Sequence, residues 1–174
     1  MEPLIKSFGG ASPKIHETAF VAENAVVIGD VEIGANSSVW YGSIVRGDVN
    51  SIRIGARTNI QDATVIHVSR GTHPIVLEDE VTIGHRVTLH GCHVEHNSLI
   101  GIGAILLDGV RIGNNSLVAA GSLVTPRTVM PPRSLVMGSP ARVKRELTDA
   151  EIADLQHFWR NYVEYTLLYL REVV

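Results

Sequence analysis

The sequence has little cysteine: Cys92 is the single thiol in 174 residues, which excludes an internal disulfide framework and any multi-cysteine zinc site. A metal in this chain has to be held by histidine or carboxylate. A basic excess is also missing, with 15 Lys and Arg against 18 Asp and Glu and no Lys/Arg-rich run, so nothing suits the grip on a phosphate backbone and no nucleic-acid partner is expected. Long apolar runs are absent too. Gly, Asp, Arg or His interrupts each one before it reaches the ~18 to 20 residues of a membrane span. The opening MEPLIKSFGGASPK lacks an apolar signal-peptide stretch, and the chain is expected to be cytoplasmic with no membrane partner. Aromatics are only 5% of the chain, and Phe158, Trp159, Tyr162, Tyr165 and Tyr169 crowd together near its C-terminus.

What is present is aliphatic and periodic. Hydrophobic residues make up 45% of the sequence, enough for one domain with a buried core. Aliphatic residues recur six apart at Val21, Val27, Ile33, Val39 and Val45, at Ile54, Ile60 and Ile66, and at Leu77, Ile83 and Leu89. The downstream run, Val94, Ile100, Leu106, Ile112, Val118, Val124, Met130 and Val136, keeps one register for eight hits. Ile, Leu, Val and Met number 55 of 174 residues, so chance gives such a run at a frequency of roughly one in ten thousand. Two positions before each of those eight stand Cys92, Ser98, Ala104, Val110, Ser116, Ser122, Thr128 and Ser134, all small, as a second inward position in a tight corner requires.

A period of six is the hexapeptide signature of a parallel β-helix. Three hexapeptides make a coil of about 18 residues, so Val21 to Val136 spans six to seven coils of a triangular prism roughly 30 Å tall. Phrases such as IGANSSV (33–39) and IGNNSLV (112–118) supply Gly and Asn, the residue types that tolerate positive φ, at the turns. The register slips at Val45 to Ile54, Ile66 to Leu77 and Leu89 to Val94, where loops or corner distortions are expected. The second of these holds SRGTHP (69–74), a turn cluster that leaves the prism. After Pro140 the repeat stops. Thr148 and Glu151 form a capping box ahead of an amphipathic pattern through Ile152, Leu155, Trp159, Tyr162, Tyr169 and Val173. The expected organisation is a prism over 1–140 and a linker with a C-terminal helix packed on the prism over 141–174, together one domain.

Six of the eight histidines, His67, His73, His85, His90, His93 and His96, fall within thirty residues. His67 follows Ile66 and His90 follows Leu89, so both sit where a side chain leaves the prism. Their separation of 23 is one coil of 18 plus the 5 extra residues of the excursion, which stacks them on one edge. A rise of about 4.8 Å suits two ligands of one metal with Zn–N of about 2.0 to 2.1 Å. His85 belongs to a different edge. Packing around a threefold axis brings it to His67 and His90 of a neighbouring copy, which gives a three-histidine site with a fourth position open for water, as in catalytic zinc. His93 and His96 read as surface residues, His73 as a loop residue near the site, and Cys92 as packing.

IVRGD (44–48), NIQD (59–62) followed by His67, and GHRVTLHGC (84–92) resemble the γ-class carbonic anhydrases and their relatives over almost the whole chain. The resemblance implies a mainly β protein, a left-handed parallel β-helix of hexapeptide repeats with a C-terminal α-helix, assembled as a homotrimer. It implies Zn2+, or Fe2+, between subunits on His67, His85 and His90, and reversible hydration of CO2 to bicarbonate by a metal-bound hydroxide. It also implies that Gln61 hydrogen-bonds that hydroxide, that Arg46 and Asp48 pair across the interface, and that Asn59 and Asp62 support the site. The sequence departs from the family pattern at the proton carriers. Val49 follows RGD, and VSRGTHPIV (68–76) has no carboxylate, leaving His73 as the candidate. Three other readings stand beside this one: an acyl-CoA thioester hydrolase using the same metal, a non-enzymatic trimeric assembly subunit, and a hexapeptide acyltransferase, the last suggested by GSPARVKR (138–145).

Overall fold

Side chains alternate in and out along each short strand, and a period of six returns the chain to the same wall of the prism after three strands. The computed structural model describes residues 2–172. On one face Phe20–Val21, Ser38–Val39, Asn59–Ile60, Thr82–Ile83, Leu99–Ile100, Leu117–Val118 and Ser134–Gly138 stack in parallel, one strand for each of seven coils. The other two faces are one continuous sheet because the strand Ile44–Ile54 turns a corner. Its first part pairs with Val65–His67 and its last part with Ile75–Leu77. The fold is therefore a parallel β-helix with one terminal helix.

The repeat positions are the core. Of the nineteen aliphatic positions in the hexapeptide register, only Val21, in the first coil, is partly exposed; the other eighteen are buried. The small residues two positions earlier are inward as well, and their hydroxyls reach along the prism axis. Ser37 Oγ donates to the Gly55 carbonyl (2.6 Å), Ser43 Oγ to Gln61 (2.9 Å) and Thr58 Oγ1 to Glu78 (2.6 Å). These three buried hydroxyls thus find partners in the next coil rather than in the apolar interior, whereas the equivalent Ser122 hydroxyl has none.

The expected turn chemistry divides between two residues. Asn36 and Asn115 carry φ of 56° and 55°, but Gly34 and Gly113 do not adopt positive φ. Those glycines are required for space. A Cβ on Gly34 would sit 2.6 Å from the Gly55 carbonyl carbon, and one on Gly113 would sit 2.4 Å from the Pro132 nitrogen. The register slips also differ in kind. The first is absorbed within the strand Ile44–Ile54, where its pairing with Val26–Ile33 is irregular. The second is a loop closed by the Ser69–His73 bridge. The third is a tightened corner at Gly91, with φ of 59°.

The segment after Pro140, expected as a linker, is instead the strand Ala141–Glu146, antiparallel to Ser134–Gly138. The last coil ends in a sheet edge with unpaired backbone groups, and the chain reverses at Gly138 to fill it. Because all but Ala141 is exposed, ARVKRE carries no apolar alternation that would betray a strand.

The helix Asp149–Glu172 opens on the expected capping box. Glu151 Oε2 accepts from the Thr148 backbone N–H (2.9 Å), and Thr148 Oγ1 accepts from that of Glu151 (3.2 Å). The helix packs on the prism through Leu155 and through Tyr162 and Tyr169, whose rings lie 5.3 and 5.1 Å from Trp40. Phe158 and Tyr165, outside the amphipathic pattern, remain 46% exposed. Val173 lies outside the described residues. No helix among the described residues is long and apolar enough to cross a membrane.

Truncation of a ladder residue such as Ile112→Ala should cost about 2 to 5 kcal/mol in urea unfolding, whereas Val129→Thr on the outer wall should stay within about 0.5 kcal/mol. The capping box adds a pH dependence. Hydrogen bonds from the Arg145 guanidinium, then from the Thr148 backbone, hold the Glu151 carboxyl down to about 2 from its ordinary 4.5. A depressed carboxylate stabilises fully above its unfolded pKa and loses that contribution as pH falls, here from about 4.5 towards 2. Protection factors of the first helical amides, which remove the intrinsic pH dependence of exchange, should therefore fall across that window in the native protein and fall less in Glu151→Gln.

Candidate metal-binding site

The coil register places the candidate residues on two edges. On the first, His67 and His90 are direct partners in adjacent parallel strands. Their rings are 5.1 Å apart, and His67 Nδ1 faces His90 Nε2 at 3.1 Å. The remaining nitrogen of each ring is held by a carboxylate: His67 Nε2 lies 3.0 Å from Asp48 Oδ1, and His90 Nδ1 lies 2.7 Å from Asp108 Oδ1. Burial alone would raise both carboxyl pKa values. Hydrogen bonds from His67 and Arg46 overcome this for Asp48, and bonds from His90 and Ser69 for Asp108, so both lie below the usual carboxylate range. Asp48 also pairs with Arg46. Within this chain the two meet because their side chains leave the same strand on the same side, two residues apart.

The electrostatic result is specific. An ionised carboxylate accepts only, so each ring spends its N–H on its carboxylate. The two nitrogens left facing each other are then both acceptors, a repulsive arrangement unless a cation or a proton lies between them.

On the second edge, Asp62 and His85 occupy equivalent turn positions one coil apart, with His85 Nδ1 2.8 Å from Asp62 Oδ2. Gln61 is buried beside them. Its amide donates to Asn59 Oδ1 (3.1 Å), and Asn59 in turn donates to Thr82 Oγ1 (3.0 Å), which leaves the Gln61 carbonyl oxygen uncommitted. Among the described residues, no group of three or more His, Cys, Asp or Glu side chains converges within one chain to hold a metal ion. His67 and His90 come together; His85 stays apart with Asn59, Gln61 and Asp62.

A groove of about 460 Å³ opens beside this second edge, between the prism and the terminal helix. Gln61 and His85 lie at its polar end, and Leu99, Ile102, Leu117 and Phe158 wall the rest. Tyr162 reaches into it, its phenol pushed up to about 12 by burial and by the charge of Asp62.

Asp108 and Ser69 were not singled out from the sequence. The signal for Asp108 was available, since it lies 18 residues, one coil, beyond His90 and stacks over Gly91. Ser69 lies in the irregular excursion, where no periodicity locates it. The remaining histidines are spread around this region. His93 Nε2 is 2.8 Å from Glu78 Oε1, and His96 lies beside the other oxygen of Glu78. His73 closes its loop next to Gly91 and Gly109.

Two histidine–carboxylate arrangements on separate edges of a hexapeptide β-helix define a class, a repeat scaffold whose polar chemistry is presented at the prism edges. The family model described as bacterial transferase hexapeptide (six repeats) matches residues 12–47 and 91–126. The chain is 44% identical over 161 residues to a carbonic anhydrase of Geobacillus kaustophilus, covering 92% of this chain and 88% of that protein. It is 48% identical over 156 residues to gamma carbonic anhydrase 1, mitochondrial, of Arabidopsis thaliana; that match covers 87% of this chain but 57% of the plant protein, so the chain spans less than two thirds of that relative's length. A solved Bacillus cereus structure described as a putative acetyltransferase superimposes with a TM-score of 0.95 at 41% identity, covering 97% of this chain and 98% of that one. The chain belongs to the γ-class carbonic anhydrase family of hexapeptide-repeat proteins.

Cys92 lies one wall away from the histidine pair, and its environment makes it inert. Full burial pushes its thiol up to about 12. A disulfide reagent at pH 8 should leave the folded protein unmodified and titrate one thiol per chain after unfolding in guanidinium; reaction in the native state would show that the corner opens.

Proposed function

We propose that the protein is a carbonic anhydrase that hydrates CO2 reversibly to bicarbonate at a divalent metal, Zn2+ or Fe2+, shared between copies of the chain in a homotrimer. The observation that carries this reading is the approach of His67 Nδ1 to His90 Nε2, each ring being held at its other nitrogen by a carboxylate. Two ligands at about 2.05 Å around a tetrahedral ion stand roughly 3.3 Å apart, close to the separation found here of 3.1 Å. His85 supplies the third imidazole from a neighbouring copy. Its place on another edge, and the exposed apolar ladder of Ile44, Val65 and Ile105 beside His67 and His90, fit a threefold arrangement. A bound divalent ion lowers the pKa of a water to near neutrality, which supplies the nucleophile that CO2 needs.

The protein's own groups then have distinct tasks. Asp48 holds the tautomer and orientation of His67, and Asp62 does so for His85. Arg46 keeps the Asp48 carboxylate charged. Asn59 fixes the Gln61 amide so that its side-chain oxygen is free to accept a hydrogen bond from the attacking oxygen and align it. His73, in the loop beside Gly91 next to the His90 edge, is the proton carrier in place of the absent glutamates. The apolar groove beside His85 favours a second substrate, an acyl thioester whose chain would lie along Leu99 and Leu117.

Elemental analysis of anaerobically purified protein should find about one zinc or iron per chain, and stopped-flow assay should show CO2 hydration. His90→Ala should lose metal and turnover while remaining trimeric by sedimentation. Thioester cleavage without CO2 hydration would replace the substrate assignment, and a metal-free protein that resists reconstitution would identify an assembly subunit.

A further inference from the structure

The excursion of the chain at 68–74 has a structural product beyond a loop. Ser69 donates its hydroxyl to Asp108 Oδ2 (2.8 Å), while Asp108 Oδ1 accepts from His90 Nδ1 (2.7 Å). Ser69 is itself pinned: its carbonyl accepts from Asn50 Nδ2 (2.9 Å), and its backbone N–H donates to the His73 carbonyl (3.1 Å). The carboxylate has a dedicated seat. Any Cβ on Gly91 would lie 2.3 Å from Asp108 Oδ1 and 2.6 Å from His73 Cβ, so glycine at that corner, already held at φ of 59°, admits both side chains. Four elements, the strand Ile44–Ile54, the loop, the corner at 91 and the turn at 108, thus converge on one imidazole.

We propose that Asp108 is the positioning residue for His90, with Ser69 as the strut that orients it. Together they hold His90 as the Nδ1–H tautomer with its Nε2 lone pair presented towards His67. This rests on the metal-site reading above and assigns to that site a support that the sequence motifs do not contain. Asp48 gives His67 the same service from below, so the two rings are braced by carboxylates from opposite ends of the stack.

Two measurements on the full-length trimer test it: the zinc dissociation constant by chelator competition, and the ¹⁵N imidazole spectrum of metal-stripped protein. Asp108→Ala should weaken zinc binding by about 10- to 100-fold and shift His90 away from the Nδ1–H tautomer. Asp108→Asn, which keeps an acceptor and guards against a folding defect, should retain the tautomer with a smaller loss of affinity. Ser69→Ala should cost roughly fivefold, the value of one hydrogen bond. An unchanged zinc constant and an unchanged His90 tautomer in Asp108→Ala, with zinc binding abolished in His90→Ala, would overturn the positioning role alone. Zinc binding that survives His90→Ala would overturn the ligand assignment beneath it.

Discussion

Coil-on-coil registry is the constraint on which the rest of this molecule depends. Parallel pairing fixes which residue lies above which, and the aliphatic ladder inside the prism enforces it, because a slip of one residue would turn every inward side chain outward. His67 meets His90 and Asp108 reaches His90 because Ile66 and Leu89 are locked in line with Val45 and Leu106, and Asp62 meets His85 because Ile60 is locked in line with Ile83. The polar groups are positioned by apolar neighbours whose side chains point the other way, into the core.

On that frame, the electrostatics follow a simple rule. Each candidate histidine is given one carboxylate, and the two beside the stacked pair are held below the usual carboxylate range by donors that include Arg46 for Asp48 and Ser69 for Asp108. A free imidazole rotates and exchanges tautomers, whereas an imidazole tied at one nitrogen presents the other in a fixed direction. The histidine pair is therefore oriented by its carboxylates, with one nitrogen of each ring turned towards the other.

The fold was legible because a six-residue period leaves one long-range trace that needs no partner to interpret. The stacking of His67 on His90 could be counted for the same reason. The strand Ala141–Glu146 escaped detection because an exposed edge strand has no inner face to record in its sequence. The glycines at 34 and 113 showed where a turn lies, but not that backbone from the next coil presses against them, a contact visible only in three dimensions. Asp108 was one coil count away from discovery. Ser69 was not, because the excursion that carries it obeys no period, and Tyr162 reaches the groove through helix docking that no local pattern encodes.

The long strand Ile44–Ile54 and its neighbours also bear on how the chain acquires its structure. Nearly every pairing joins residues one coil apart, with separations such as the 23 residues from Thr82 to Asn59 or the 18 from Leu117 to Leu99. The entropy of closing each loop is therefore almost the same from one end of the prism to the other. Such a chain condenses coil by coil on whatever neighbour is already formed, in the manner of a one-dimensional lattice, with no single distant closure on which the outcome waits. Residues 46 to 108 occupy a few consecutive coils of that lattice. The histidine edge thus needs only its own stretch to be wound, and neither end of the solenoid contributes a residue to it.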